Sequence, residues 1–169
     1  VTREFYINDR GNQMDLFGAS VQAAALGLPI PQGGYQVAYI SDLAAAVVKD
    51  YPEIMSLPTD VAQIEFRERA YKAQLADQQR VLELFRTKFD VWFSEHSLHE
   101  SGAVEHGLEK LRKQGHVFEQ DGATWLRTTD FGDDKDRVLV KKDEAYSYFS
   151  SDTAYYINKR ERGFDICIY

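Results

Sequence analysis

Only one cysteine, Cys167, occurs among the 169 residues. An internal disulfide is therefore excluded, and the apolar string FDICIY around Cys167 predicts a buried, unreactive thiol with no redox role. Prolines number four, and two of them share residues 28–34 with two glycines, which marks that stretch as a turn or linker. No apolar run approaches the roughly 20 residues that a membrane helix needs. The opening VTREFYINDR lacks the basic-then-apolar layout of a signal peptide, so a cytoplasmic protein is expected. Basic residues are outnumbered, 20 against 27, for a net charge of −7, which argues against gripping phosphate backbones as a primary role. The local basic clusters at Lys110, Arg112 and Lys113, at Lys141 and Lys142, and at Lys159, Arg160 and Arg162 fit solvated faces. GxGxxG, GxxxxGK[ST] and GxSxG are all missing, so the residues offer neither a phosphate loop nor a hydrolase elbow. Repeats and low-complexity tracts are absent.

What remains is the composition of a globular domain, 44% hydrophobic and 28% charged. Residues 4–7 read as a strand, followed by a helix that Asn8 or Asp9 can cap and that carries Met14, Phe17, Val21 and Ala25 up to Gly27. A second helix is predicted from Asp42, with Leu43, Val47 and Tyr51 on one face and Pro52 as its stop. Thr59 or Asp60 then opens the longest pattern: Ile64, Tyr71, Leu75, Leu82 and Phe85 form a stripe through roughly 27 residues, about 40 Å of helix. At Phe89 the period changes to two, and FDVWF reads as a strand. Ser101 is a plausible cap for a helix bearing Val104, Leu108 and Leu111, with Glu109 and Lys113 as an i, i+4 pair and Gly115 as its end. Short strands are predicted at residues 117–119, 124–126, 137–141 and 146–149. A helix beginning at Asp152 and ending at Gly163 precedes a last strand over residues 164–169. This is an α/β pattern, and a chain that starts and stops on strands looks cut from a larger protein.

Three groups of residues could carry chemistry. His96, His99 and His106 stand near Glu95, Glu100 and Glu105, but HSLHE is not the HExxH or HxxEH arrangement of helical zinc sites, and exposed histidines beside a helix start are the preferred reading. Asp130, Phe131 and Gly132 spell a kinase-like DFG without the other kinase elements, so we read an acidic turn in which Lys135 and Arg137 balance Asp133, Asp134 and Asp136. The third group is Glu95, Tyr148 and Asp152, expected at strand ends, with Asp152 in a first helical turn where the dipole favours its charge. Two carboxylates and a phenol suit a cation, and a guanidinium with five donors suits them best. Surface acids beside a packed tyrosine are the alternative.

The strings YINDRGNQM, FDVWFSEHSLHESG, TWLRTTDFGDDKDRVLVKKD and YSYFSSD, in this order, closely resemble the central catalytic region of bacterial arginyl-tRNA synthetase, a class I aminoacyl-tRNA synthetase. The resemblance covers essentially the whole chain. It implies a partial Rossmann-like, nucleotide-binding catalytic domain: residues 1–30 as its first part, 31–88 as a helical insertion, and 89–169 as the remainder with a small antiparallel β-hairpin element. It also implies that Glu95, Tyr148 and Asp152 bind the substrate arginine, that no catalytic residue or metal ligand lies in this stretch, and that the parent enzyme uses arginine, ATP with magnesium, and tRNA(Arg). The HIGH-type and KMSK-type motifs of class I enzymes are absent from these residues, so the fragment by itself is expected to bind no cofactor and to be inactive. In the family a central strand lies between the first and last strands seen here; without it, Phe164, Ile166 and Ile168 would be bare and the chain prone to self-association. Two positions depart from the family pattern: Arg10, where alanine is common, and Glu144, where glycine is common at a turn. The rival reading is a stand-alone interaction module built on the long helix.

Overall fold

The computed structural model describes residues 1–168. Its elements are mixed α/β, in two compact units. Strand β1 (Glu4–Ile7) and strand β2 (Val91–Ser94) pair as a small parallel sheet. The boundary between the units crosses both strands: residues through Phe5 and Trp92 belong to the first, and Tyr6 and Phe93 open the second.

The first unit is helical. Helix α1 (Asn12–Leu26) starts after Gly11, whose φ of 85° is positive, rather than at a side-chain cap on Asn8 or Asp9. It ends as expected at left-handed Gly27. Helix α2 (Ala38–Asp50) begins four residues before Asp42, and Pro52 turns the chain into a short 3-10 helix, Pro52–Ser56. Helix α3 (Thr59–Leu84) opens where predicted, yet its buried face differs. Ala62, Phe66 and Ala70 are buried, whereas Ile64 and Phe85 of the expected stripe are exposed. The core gathers Phe17, Val21, Ile40, Ala44, Val47 and Ile54 around those three residues. Close approach explains the small side chains, because a Cβ on Gly18 of α1 would lie 2.6 Å from Arg67 Cβ and 3.1 Å from the Gln63 carbonyl of α3. Ser20, fully buried, donates to Leu16 O at 2.6 Å and accepts from the Tyr35 backbone at 3.0 Å, which fastens the 28–34 linker. The Tyr71 hydroxyl donates to Asp9 Oδ2 at 2.9 Å, and burial beside that carboxylate pushes the phenol pKa up.

The second unit holds helix α4 (Glu95–Glu100), helix α5 (Ala103–Lys113), the antiparallel strands β3 (Val117–Gln120), β4 (Ala123–Leu126) and β5 (Arg137–Val140), and helix α6 (Tyr148–Glu161). The β3–β4 hairpin turns on Asp121 and Gly122, both with positive φ, as a two-residue turn that follows strand twist requires. Ser101 is the C-cap of α4 rather than the N-cap of α5, which starts from left-handed Gly102. The expected Glu109–Lys113 pair forms at 2.7 Å. Residues 146–149 are not a strand: Tyr146 makes one isolated bridge to Val140, and the helix has begun by Tyr148. Residues 164–168 form no strand, and Ile166 and Ile168 are exposed; Tyr169, where that predicted strand ended, lies outside the described residues. Cys167 is partly buried rather than buried.

Candidate arginine-recognition site

Glu95 opens α4 instead of closing a strand. Ser94 caps this helix, its Oγ accepting from the Ser97 backbone N–H at 3.3 Å. Glu95 is 6% exposed, so its carboxylate sits at the positive end of a helix and largely out of water. Helix α6 carries the other two residues. Its cap is Ser147, which accepts from the Ser150 N–H, while the Ser147 and Ser150 hydroxyls donate to Val138 O and Leu139 O of β5. These bonds tie the first turn of α6 to the sheet and bring the helix start four residues earlier than expected. Tyr148 therefore occupies the first helical position, 80% exposed, and Asp152 lies in the second turn, beyond the reach of most of the dipole.

Asp152 borders an open cleft of about 500 Å³ with Phe149, Thr153, Tyr155 and Tyr156. Burial raises the Asp152 pKa, and Lys159, about two turns further along α6, opposes the shift. The carboxylate is thus a partly desolvated acceptor with aromatic walls. Tyr148 and Asp152 share one face of α6, being four residues apart, although Tyr148 does not line the cleft. Helix α4 packs on α6 through Leu98, Ala154 and Tyr155, and His99 Nε2 and Ser151 Oγ share a 3.1 Å hydrogen bond between the two helices. The sequence singles out none of Phe149, Thr153, Tyr156 and Ser151, and His99 only as one of three histidines near a helix start. Positions 149, 152, 153 and 156 follow helical i, i+3, i+4, i+7 spacing, a signal hidden once 146–149 was read as a strand.

The neighbouring constellations resolve differently. His96 pairs with Glu100 at 3.1 Å, His106 with Glu161 at 3.2 Å, and His99 with Ser151, so the three histidines serve separate partners. Among the described residues no His, Cys, Asp and Glu group is arranged to hold a metal ion. The DFG string lies on a 3-10 turn, Thr128–Phe131. Arg137 binds Asp133 at 2.7 Å and Asp134 at 2.9 Å, holding the Asp133 carboxyl well below the usual range. Asp136 accepts from the Thr129 hydroxyl at 2.8 Å.

Glu95 thus heads α4, and Tyr148 and Asp152 lie a turn apart on α6; comparison with known proteins bears on the resemblance. The family model "tRNA synthetases class I (R), catalytic domain" matches residues 64–169. The chain belongs to this family. The arginine–tRNA ligase of Renibacterium salmoninarum is 55% identical over all 169 residues, and that of Micrococcus luteus 47% identical over the same span. The chain covers 31% and 30% of those two proteins. Among solved structures, the arginyl-tRNA synthetase of Campylobacter jejuni superposes with a TM-score of 0.88 at 28% identity, over 98% of this chain and 37% of that one. The Thermus thermophilus arginyl-tRNA synthetase, with a TM-score of 0.55 at 19% identity over 91% of this chain and 28% of its own, supports the fold alone. Membership of this class I synthetase family agrees with the resemblance carried by the motifs. No helix among the described residues is long and apolar enough to cross a membrane.

Proposed function

We propose that this chain supplies the arginine side-chain pocket of an arginine–tRNA ligase, with Glu95 and Asp152 accepting the guanidinium and Tyr148 adding a hydroxyl contact. The observation that carries this reading is Asp152 itself: a carboxylate with a raised pKa at the rim of an aromatic-walled cleft, on the helix that packs against the one headed by Glu95. A planar cation with paired donors satisfies such acceptors, and a partly dry site strengthens the attraction. The whole protein would activate arginine with ATP and magnesium in the cytoplasm and transfer it to tRNA(Arg). In this reading the two carboxylates and the phenol select and orient the cationic side chain rather than transfer protons. In the same reading β1 and β2 are strands of a partial Rossmann-like sheet, and residues 31–88 are a helical insertion. The isolated chain would not charge tRNA, and Ile166 and Ile168 give it apolar surface for self-association, which light scattering would detect.

The test is made in the full-length ligase containing this segment. Asp152→Ala leaves a cation without its acceptor, a loss of roughly 2–5 kcal/mol that should appear in arginine dependence and not in ATP dependence. Asp152→Asn keeps shape and removes charge. Unchanged arginine dependence in both variants would refute the assignment.

A further inference from the structure

A hydrogen bond joins the two helices that carry the acids. His99 lies one turn beyond Glu95 on α4, and its Nε2 is 3.1 Å from Oγ of Ser151, the residue before Asp152 on α6. Ser151 is 4% exposed, so its hydroxyl makes this contact largely away from competing water. Apolar contact between α4 and α6 runs through Leu98, Ala154 and Tyr155. Apolar packing is non-directional, whereas a hydrogen bond weakens steeply with angle and fixes how one helix is rolled against another. The imidazole is itself braced. Its ring packs 5.9 Å from that of Tyr146, tilted by 52°, and the Tyr146 hydroxyl donates to Glu105 at 3.0 Å.

We propose that His99 and Ser151 form a positioning pair that sets the spacing and roll of the Glu95 and Asp152 carboxylates, and so the fit of the site to a guanidinium. The pair touches no substrate; it acts through the two acids. This inference rests on the reading of those acids as arginine ligands. A guanidinium needs acceptors at fixed angles to use its paired donors, so a small roll of α6 weakens arginine binding while leaving ATP binding alone.

Aminoacylation kinetics of the full-length ligase, with tRNA present, provide the test. Ser151→Ala and His99→Leu should each raise the arginine KM about five- to tenfold, the scale of one hydrogen bond, with ATP KM unchanged. The double variant should be no worse than the weaker single, because both remove one bond. His99→Gln, whose amide can remake the bond, should recover most of the loss. In an Asp152→Asn background His99→Leu should add less than about twofold, since the carboxylate it positions is already gone. A purely structural role would lower thermal stability and raise both KM values, with the His99→Leu effect undiminished in that background; this would overturn the proposal, as would unchanged arginine KM in both single variants. If Asp152→Asn itself leaves arginine use intact, the pocket assignment has failed and this inference fails with it. If Asp152→Asn weakens arginine use and the pair variants do not, only the positioning role is wrong.

Discussion

Both units bury hydroxyls that bond to backbone, Ser20 in the first and Ser150 in the second, but among the described residues only the second also buries a carboxylate, Glu95. In the first, buried Ser20 and Gln22 spend their hydrogen bonds on backbone, to Leu16, Tyr35 and Thr59, and they sit in one continuous apolar core. In the second, the core is split into two small clusters. Buried Glu95 and Ser151 lie beside those clusters, on the helices that carry the proposed arginine ligands. Hydrophobic packing with satisfied backbone makes a scaffold, and divided cores leave room for charged groups that packing alone would reject. Substitutions should therefore separate cleanly: damage in the first unit should read out as stability, and damage around α4 and α6 as arginine dependence.

The largest stability effect is expected at Gly18. An alanine methyl there meets Arg67 Cβ at 2.6 Å and the Gln63 carbonyl at 3.1 Å, and neither is the far end of a flexible side chain. Gly18→Ala should cost about 1–3 kcal/mol in urea unfolding. Gly107 on α5 is the counterpart in the second unit. Its nearest neighbour is Ile157 Cδ1 at 3.3 Å, which can move aside, so Gly107→Ala should change stability far less. Equal effects would break the contrast between the units.

Tyr71→Phe comes next. It removes a hydrogen bond to a carboxylate, a loss of about 1–2 kcal/mol. The phenol pKa is raised in the folded state, so this contribution is fully present below the ordinary tyrosine value of 10.0 and disappears as pH rises through the higher folded value. Unfolding curves of wild type and Tyr71→Phe should therefore converge only in strong alkali. A difference that is constant across that range would show that the hydroxyl's value lies in packing.

Much of the fold could be read from residue order because the signals were local. Strand β1, the left-handed stop at Gly27, the start of α3, the three antiparallel strands and the Glu109–Lys113 pair each depend on a few neighbouring residues. The buried face of α3 was not legible, because bulky residues suggest a stripe while the actual contact is made by Ala62 and Ala70 flanking Phe66, where α1 comes close at Gly18. Alternating aromatics in YSYF suggested a strand, but the Ser147 and Ser150 hydroxyls, bonding back to β5, begin a helix there instead. Glu95, Tyr148 and Asp152 are proposed as ligands on their motifs. The pairing of His99 with Ser151 was not legible, since a contact 52 residues apart in sequence depends on how two helices sit together and leaves no local trace.

Glu144 offers a smaller test. Its φ of 63° places it in the left-handed region, where a side chain costs roughly 1–2 kcal/mol and glycine costs little. The extra freedom of glycine in the unfolded chain offsets part of that relief, so Glu144→Gly should stabilise by a net of about 0.5–1 kcal/mol. The arginine KM should not move. A shift in KM would tie this turn, which leads into Tyr146, to the site.

The smallest effect, and the one that separates the units most sharply, is the stability change of Asp152→Asn. Burial raises the folded pKa of Asp152 above its ordinary 3.8, with Lys159 opposing. The folded state therefore binds a proton more tightly than the unfolded state does. Its relative stability is greatest below the unfolded pKa and declines as pH rises through the folded one. Asparagine has no charge to desolvate, so Asp152→Asn should match wild type in acid and unfold at a slightly higher temperature near neutrality. The same variant should lose arginine use. A gain in stability together with a loss of recognition marks a residue kept for its ligand at the fold's expense. Scaffold residues such as Tyr71 should show only loss. If Asp152→Asn lowers Tm at neutral pH, the carboxylate is holding the fold together, and the division of labour between the units is wrong at the residue on which it most depends.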